Sequence, residues 1–318
     1  IIEGTFCPAC KKEKSRVLRI GISEDPSWPV FQCRACRLQF IKPRHTDLKE
    51  YYATEYRKTH TDTWGHGRDN PVRDETPEQR FQIQQFASQT SAKEFRKVIP
   101  EGASVLEIGP SAGGFLSHLA GDYDLFAVEW NPEDAKFVRE VGEIPCEEGE
   151  IKDAFPDRKF TAIVARQVLE HTLDPVDFID TCRNRLIGGG WLFMELPSAT
   201  NALLAVYGIE EFMDWWYSEP HLTYWEPETM ANLMNASGFE ARVYAVQAQS
   251  MAHDMLWLSK RLRVVDHSNE VMHPVRSAHP LAAALNRIWN RFDKEYRIQM
   301  ETLNCANQLR VLARKIEI

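Results

Sequence analysis

The residues of this chain that are able to do chemistry fall into three groups. Cys7-Pro-Ala-Cys10 and Cys33-Arg-Ala-Cys36 are two C-x2-C pairs with 22 residues between them. Each pair offers two thiolates from one tight turn, and four thiolates close a tetrahedron around zinc, leaving no position for a reacting molecule. The second group is Glu107, Gly109, Pro110, Ser111 and Gly113, at the end of the apolar run that starts at Val105. The third is a set of histidines and tyrosines, foremost His221, His171 and Tyr224, with Tyr51 and Tyr52 earlier in the chain. Cys146, Cys182 and Cys305 are isolated and read as buried or free thiols.

The second group has the order strand, small-residue turn, helix, with the helix expected near 113–121. That order aims backbone N–H groups and a helix N-terminus at a ligand. Small residues are needed because side chains would hold the ligand off the backbone. The spacing is not G-x-G-x-x-G and no Lys-Ser/Thr follows, which excludes a phosphate-gripping P-loop. A carboxylate at Glu107 repels a pyrophosphate and suits an ammonium. Leu125-Phe-Ala-Val-Glu129 then reads as a second strand ending in an acid, able to accept hydrogen bonds from both hydroxyls of a ribose. One acid for an amino group and one for a ribose describe S-adenosylmethionine better than a nicotinamide dinucleotide.

Taken with Glu147-Glu-Gly-Glu-Ile151 and Val164-Ala-Arg-Gln-Val-Leu-Glu-His171, these residues resemble the class I S-adenosylmethionine-dependent methyltransferases. Ser111 stands where that family usually has a Gly. The resemblance implies a cofactor set of Glu107, Gly109, Pro110, Ser111, Gly113, Glu129 and Trp130, with Gly149, Glu150 and Ile151 beside the adenine. Arg166 and Gln167 end the fourth strand on the crevice side and join that set. The run from Cys33 through Phe40 and Pro43 to Tyr51 and Tyr52 narrows the likeness. It is similar to bacterial methyltransferases with an N-terminal zinc-binding module, many of which act on sugars or polysaccharide precursors, and which place a paired-Tyr segment near the active site.

Methyl transfer to a hydroxyl of high pKa benefits from a general base, and histidine titrates in the useful range. The resemblance puts His221 first; His171, in Leu169-Glu-His-Thr-Leu-Asp-Pro175, is the second candidate, and Tyr51, Tyr52 and Tyr224 are further ones. Relatives that methylate carbon often carry Glu before the His. Here that residue is Pro220, which favours oxygen. The expectation is O-methylation of a sugar, nucleotide sugar or other small-molecule hydroxyl. Sugar C-methylation and RNA methylation behind a zinc ribbon are the alternatives, and a non-catalytic scaffold is a third reading that the Glu107/Glu129 pair argues against.

These residues need elements to hold them. The chain has 318 residues, 43% hydrophobic and 26% charged, enough for one large domain and a small module. Its net charge of −8 argues against a broad nucleic-acid surface. No apolar run is long enough for a membrane span, and Ile1-Ile-Glu-Gly lacks the features of a signal peptide, so a cytoplasmic protein is expected. The ribbon is read over 1–45, with strands at Val17–Ile20 and Val30–Gln32. Residues 46–100 form a linker, a loop at Asn70–Thr76 and a helix from Pro77 to Ile99 lining the active site.

Strand and helix then alternate over 101–249, the sign of a doubly wound α/β sheet of Rossmann-like methyltransferase type. Strands are expected near 104–108, 124–129, 144–147, 160–165 and 190–196, with helices near 132–141 and 174–187. Gly188–Gly190 is expected to end the last of these helices. A helix at Pro227–Ser237 and a strand at Gly238–Val246 follow. An insertion over 250–304 carries helices at Asp254–Val264 and Leu281–Leu303. A seventh, antiparallel strand lies in 305–318. The aromatic segment from Pro197 to Pro227 is expected to touch substrate, and the insertion to cover the site or join subunits. Its histidines His253, His267, His273 and His279 lack metal-ligand spacing and read as surface or lid residues.

Overall fold

The computed structural model describes residues 5–43, 47–52, 56, 76–259 and 281–317. Residues 70–75 of the expected loop, His267, His273, His279 and the end of the expected helix at Val264 lie outside these.

Three strands open the chain: β1 (Ser15–Ile20), β2 (Pro29–Cys33) and β3 (Gln39–Ile41), joined antiparallel. Two helices follow, α1 (Pro77–Ala87) and α2 (Gln89–Arg96). Thr76 and Gln79 cap α1 reciprocally, and Pro77 takes the first turn, where a missing N–H costs nothing. One continuous helix was expected here. The Ser88 hydroxyl instead bonds back to the Gln84 carbonyl at 2.6 Å, and the chain bends there.

The core supplies β4 (Ser104–Ile108), β5 (Asp124–Glu129), α3 (Pro132–Glu140), β6 (Cys146–Glu148), β7 (Phe160–Arg166), α4 (Pro175–Arg185) and β8 (Leu186–Pro197). Then come α5 (Glu210–Trp216), β9 (Thr223–Tyr224), α6 (Pro227–Ala236), β10 (Phe239–Val246), α7 (Met251–Leu258), α8 (Ala282–Thr302) and β11 (Gln308–Lys315). The large sheet has seven strands in the order β10-β11-β8-β7-β4-β5-β6. Its pairs from β8 to β6 are parallel, and β11 runs antiparallel to both β8 and β10. The seventh strand thus takes the antiparallel place expected of it. Because β5 and β7 flank β4 on opposite sides, the chain reverses its direction of winding at β4, and a crevice opens at the carboxyl end of that strand.

Several local expectations are corrected. The turn after β4 leads not into a full helix but into one short 3-10 turn, Leu116–His118. Gly113, Gly114 and Gly121 bracket it and are poor helix formers. Gly188–Gly190 does not end a helix. It lies within β8, where Phe160 pairs with Leu186 and Ala162 already pairs with Trp191, so the intervening residues bulge out. The aromatic segment is mostly core: Phe212, Trp216, Tyr217, Tyr224 and Trp225 are buried, the first four in one cluster with Trp257 and Leu203. Their faces are covered by each other, while Tyr207 is exposed. The sequence places Leu285, Ile288, Trp289, Phe292, Tyr296 and Met300 of α8 on one apolar stripe; in the structure Leu285, Ile288 and Phe292 face solvent and Trp289, Tyr296 and Met300 are half-buried. No described helix is long and apolar enough to cross a membrane.

A further finding concerns the small sheet. Its fourth strand is β9, paired antiparallel with β3, so the order is β1-β2-β3-β9. Phe31, Leu38 and Phe40 of the ribbon share a core with Leu106, Ile163 and Met194 of the large sheet. Arg37 grips Glu226 through two hydrogen bonds of 2.7 and 2.9 Å, and Lys11 meets Asp174 at 2.7 Å.

Gly114 shows how tightly α1 is seated. A Cβ there would lie 2.5 Å from the backbone nitrogen of Gln85, a distance that forces the helix outward. Gly114→Ala should destabilise the protein by about 1–3 kcal/mol. A chemical denaturation midpoint equal to wild type would show that α1 is not held against the turn.

Candidate functional site

The crevice has a donor-side wall built by the turn after β4. Gly109 and Gly113 adopt φ of +63° and +83°, and Ser111 adopts +48°, a conformation that usually favours glycine. Two acids fix this turn. The Glu129 carboxylate accepts the Ser111 N–H at 2.9 Å and the Asn131 N–H at 2.8 Å. Asp134 accepts the Ser111 hydroxyl at 3.0 Å, and the Arg80 guanidinium donates to it at 2.6 and 3.0 Å. The serine that replaces the usual glycine therefore anchors the turn through its own hydroxyl. Asp134 is fully buried and Arg80 nearly so. Neither was found from sequence, although Arg80 lies on a helix expected to line the site and Asp134 in the first turn of α3.

Glu107 is buried, and its Oε2 atom accepts no hydrogen bond. Burial pushes its carboxyl up to about 8; the nearby Arg166 works in the opposite direction, while Glu129 and Glu195 add to the rise. An orphaned carboxylate oxygen at a strand tip fits an incoming ammonium, whose charge would offset the burial. Gly149 reaches the same wall, its N–H donating to the Glu129 carbonyl at 3.1 Å, and Ile151 is buried in the core beside it. Glu150 faces outward and pairs with Lys152 at 2.6 Å. Trp130 stacks on Tyr52, with ring centroids 5.3 Å apart, and its buried Nε1 has no partner.

Arg166 stands differently from the expectation. Its Nε donates to Glu195 at 2.8 Å, and its guanidinium lies over Phe115 at 5.0 Å. Glu195 also holds Arg310 and Ser91, so Arg166 belongs to a buried network under the crevice. Those charges hold the Glu195 carboxyl below the usual carboxylate range against the opposing effect of its burial. Gln167 sits above it at φ +54°, its N–H bonded to the Glu195 carbonyl at 2.7 Å.

The opposite wall comes from the turn after β7 and the segment before β9. His171 and His221 meet edge to face with ring centroids 4.9 Å apart. The Nδ1 atom of His171 lies 2.9 Å from the Pro220 carbonyl and 2.7 Å from the Tyr52 hydroxyl. A carbonyl only accepts, so Nδ1 carries the hydrogen of this pair. Leu222 ties this wall together: its N–H donates to the Glu170 carbonyl at 2.6 Å, and its carbonyl accepts from Ile41 of the ribbon at 3.0 Å. A small cavity between Pro43, Leu48, Tyr51, Tyr52, Glu219 and Pro220 opens beside the histidines. Tyr224 lies beside them, its ring centroid 6.0 Å from that of His221, but its hydroxyl is engaged elsewhere. Its hydroxyl is buried, donating to the Trp216 carbonyl and accepting the Ser218 N–H, and burial pushes its pKa well above the usual value. That corrects its candidacy as a proton acceptor.

Away from the crevice, Cys7, Cys10, Cys33 and Cys36 converge. Their sulfurs lie within 4.8 Å of one another, with Cys7 and Cys36 at 3.5 Å and Cys10 and Cys33 at 3.6 Å. Sulfurs on a tetrahedral zinc stand about 3.8 Å apart, so the spacing fits that ion.

A parallel sheet with a Gly turn at its switch point and an acid on the next strand defines a nucleoside-binding α/β protein. Residues 79–243, more than half of the chain, match the family model described as a methyltransferase domain. The chain belongs to that family. Among curated proteins it is similar to the ubiquinone biosynthesis O-methyltransferase of Xylella fastidiosa strain M23, 32% identical over 126 residues, which are 36% of this chain and 51% of the relative. The chain thus spans about half the length of the curated relatives it matches. Among solved structures it is similar to an S-adenosylmethionine-dependent methyltransferase from Archaeoglobus fulgidus (14% identity, TM-score 0.49, covering 75% of this chain and 97% of the other). It is also similar to phosphoethanolamine N-methyltransferase 2 of Haemonchus contortus (13% identity, TM-score 0.45, covering 74% and 57%).

The Arg80–Asp134 pair yields a prediction. Arg80→Ala strands a fully buried carboxylate, which should cost roughly 3–5 kcal/mol. A chemical denaturation midpoint close to wild type would show that the pair does not hold the turn.

Proposed function

We propose that the chain transfers a methyl group from S-adenosylmethionine to a hydroxyl of a sugar, nucleotide sugar or other small molecule, and carries a structural zinc ion on its four ribbon cysteines. The observation that carries this reading is the pair of facing walls: an orphaned Glu107 oxygen and Glu129 on one, and His171, its Nδ1–H on the Pro220 carbonyl, beside His221 on the other. S-adenosylmethionine supplies an activated methyl on a sulfonium, so the protein has to orient the acceptor and take up its proton. Glu107 would hold the amino group, Glu129 the ribose, and Gly149 to Ile151 the adenine edge. Trp130, stacked on Tyr52, closes the nucleoside from the acceptor side. The Nε2 atom of His171 and the imidazole of His221 would receive the proton, and Tyr51 and Tyr52 would border the acceptor.

In this reading residues 1–45 are the ribbon, 46–100 line the site, 101–249 with 305–318 form the core, and 250–304 is an insertion whose exposed α8 residues suit a contact with a second copy.

Calorimetry tests the donor wall. Glu129→Ala should weaken S-adenosylmethionine binding at least tenfold, about 1.4 kcal/mol; unchanged affinity would remove Glu129 from the site. Because Glu107 is largely protonated below pH 8, an ammonium must displace its proton on binding. Affinity should therefore rise with pH by up to tenfold per unit below pH 8 and level off above it, and Glu107→Gln should flatten that profile. A flat wild-type profile would contradict the assignment. Elemental analysis should give one zinc per chain, lost in Cys33→Ser; a metal-free native protein would end the ribbon reading. Assays on nucleotide sugars and on RNA decide the acceptor, and transfer to RNA alone would overturn the choice made here.

A further inference from the structure

Glu170 is the most unusual polar residue of the acceptor wall. It is completely buried, and neither carboxylate oxygen accepts a hydrogen bond. An ionised carboxylate left so is costly, and the cost is relieved by taking up a proton or by an approaching cation. Its surroundings point to what does. One carboxylate oxygen of Glu170, one ring nitrogen of His171 and one of His221 lie within 4.8 Å of one another. The imidazoles stand too far from the carboxylate to hydrogen-bond it, yet near enough for the three ligand atoms to share an ion. One of the imidazoles is also held in orientation from behind. His171 offers its Nδ1–H to the Pro220 carbonyl, the arrangement by which metal-binding imidazoles are oriented while Nε2 faces the ion. The Glu170 backbone is pinned by the Leu222 N–H, and Leu222 by Ile41, so a ligand from one turn and a ligand from another are held together by main-chain bonds.

We propose that Glu170, His171 and His221 form a divalent-cation site in the acceptor wall, distinct from the cysteine cluster of the ribbon. Two imidazoles and one carboxylate suit manganese, iron, cobalt or zinc rather than calcium. Three protein ligands leave coordination positions open, and both histidines are half-exposed, so an acceptor oxygen is able to complete the shell. The use made of the cation rests on the methyltransferase reading: with the ion bound the imidazole lone pairs are on the metal, so the histidines no longer take the proton themselves, and the cation instead lowers the pKa of a coordinated acceptor hydroxyl. Its binding does not rest on that reading.

The experiment is a titration of the full chain, with its ribbon metal retained, with Mn2+ alone at pH 7.5, followed by the loss of the free-ion electron paramagnetic resonance signal. Wild type should bind one Mn2+ per chain. Glu170→Gln and His221→Ala should each weaken that binding at least tenfold. S-adenosylmethionine affinity, measured on the same samples, reports whether each variant is folded and whether the donor site exists, so failure of the methyltransferase reading is seen separately. If Glu170→Gln does not fold, His221→Ala alone carries the test. Wild type that takes up no Mn2+, or folded variants that bind it as wild type does, would overturn the proposal.

Discussion

The pairing of β9 with β3 decides where the acceptor-side groups stand. Thr223 and Tyr224 belong in sequence to the catalytic domain, yet they form the last strand of the ribbon sheet. Their neighbour Leu222 is bonded on one side to Ile41 of the ribbon and on the other to Glu170 of the core. His221 and Pro220 are thereby set against His171. The ribbon is accordingly not an appendage beside a methyltransferase domain but one of the supports of its crevice. Its aromatic residues share a core with the large sheet, and Arg37 and Lys11 add charged contacts across the seam. Those exposed pairs are worth little individually; the shared apolar core and the main-chain bonds dominate.

The donor wall is fixed by different means. Buried charges do the work there: Asp134 with Arg80 beneath the turn, and Glu195 with Arg166 and Arg310 beneath the crevice floor. Glu107 stands among these without a partner of its own. A network whose members are satisfied, next to one acid that is not, is the arrangement expected where a cationic ligand completes the charge balance. Tyr52 links the two walls, since its ring stacks on Trp130 while its hydroxyl meets His171.

Much of the sheet was legible in the chain because its signals are local. Apolar runs such as Val105–Ile108 and Pro at helix starts such as Pro132 and Pro175 mark elements within a few residues, and the seventh strand was placed close to its observed limits. The Gly turn and its two acids were legible for the same reason. What escaped depends on contacts between distant segments. Nothing in Thr223-Tyr224 announces a strand, because its partner lies about 180 residues earlier. Trp216, Tyr217 and Tyr224 read as ligand-facing because composition does not say which side of a ring is covered. Arg166 read as a cofactor contact because Glu195, which holds it, sits one strand away. Glu170 gave no signal at all: an acid in a turn is ordinarily solvated, and its burial is visible only once Leu222 is seen lying over it.

Hydrogen exchange tests the coupling between ribbon and acceptor wall most directly. Wild type and Cys33→Ser are to be compared amide by amide under native conditions. If the ribbon supports the wall, opening it should remove protection from Ile41 and Leu222 together, while Val105 to Ile108 in the centre of the large sheet keep theirs. Loss of protection at Ile41 with Leu222 still protected would show that the segment carrying His221 stands without the ribbon, and would contradict the account.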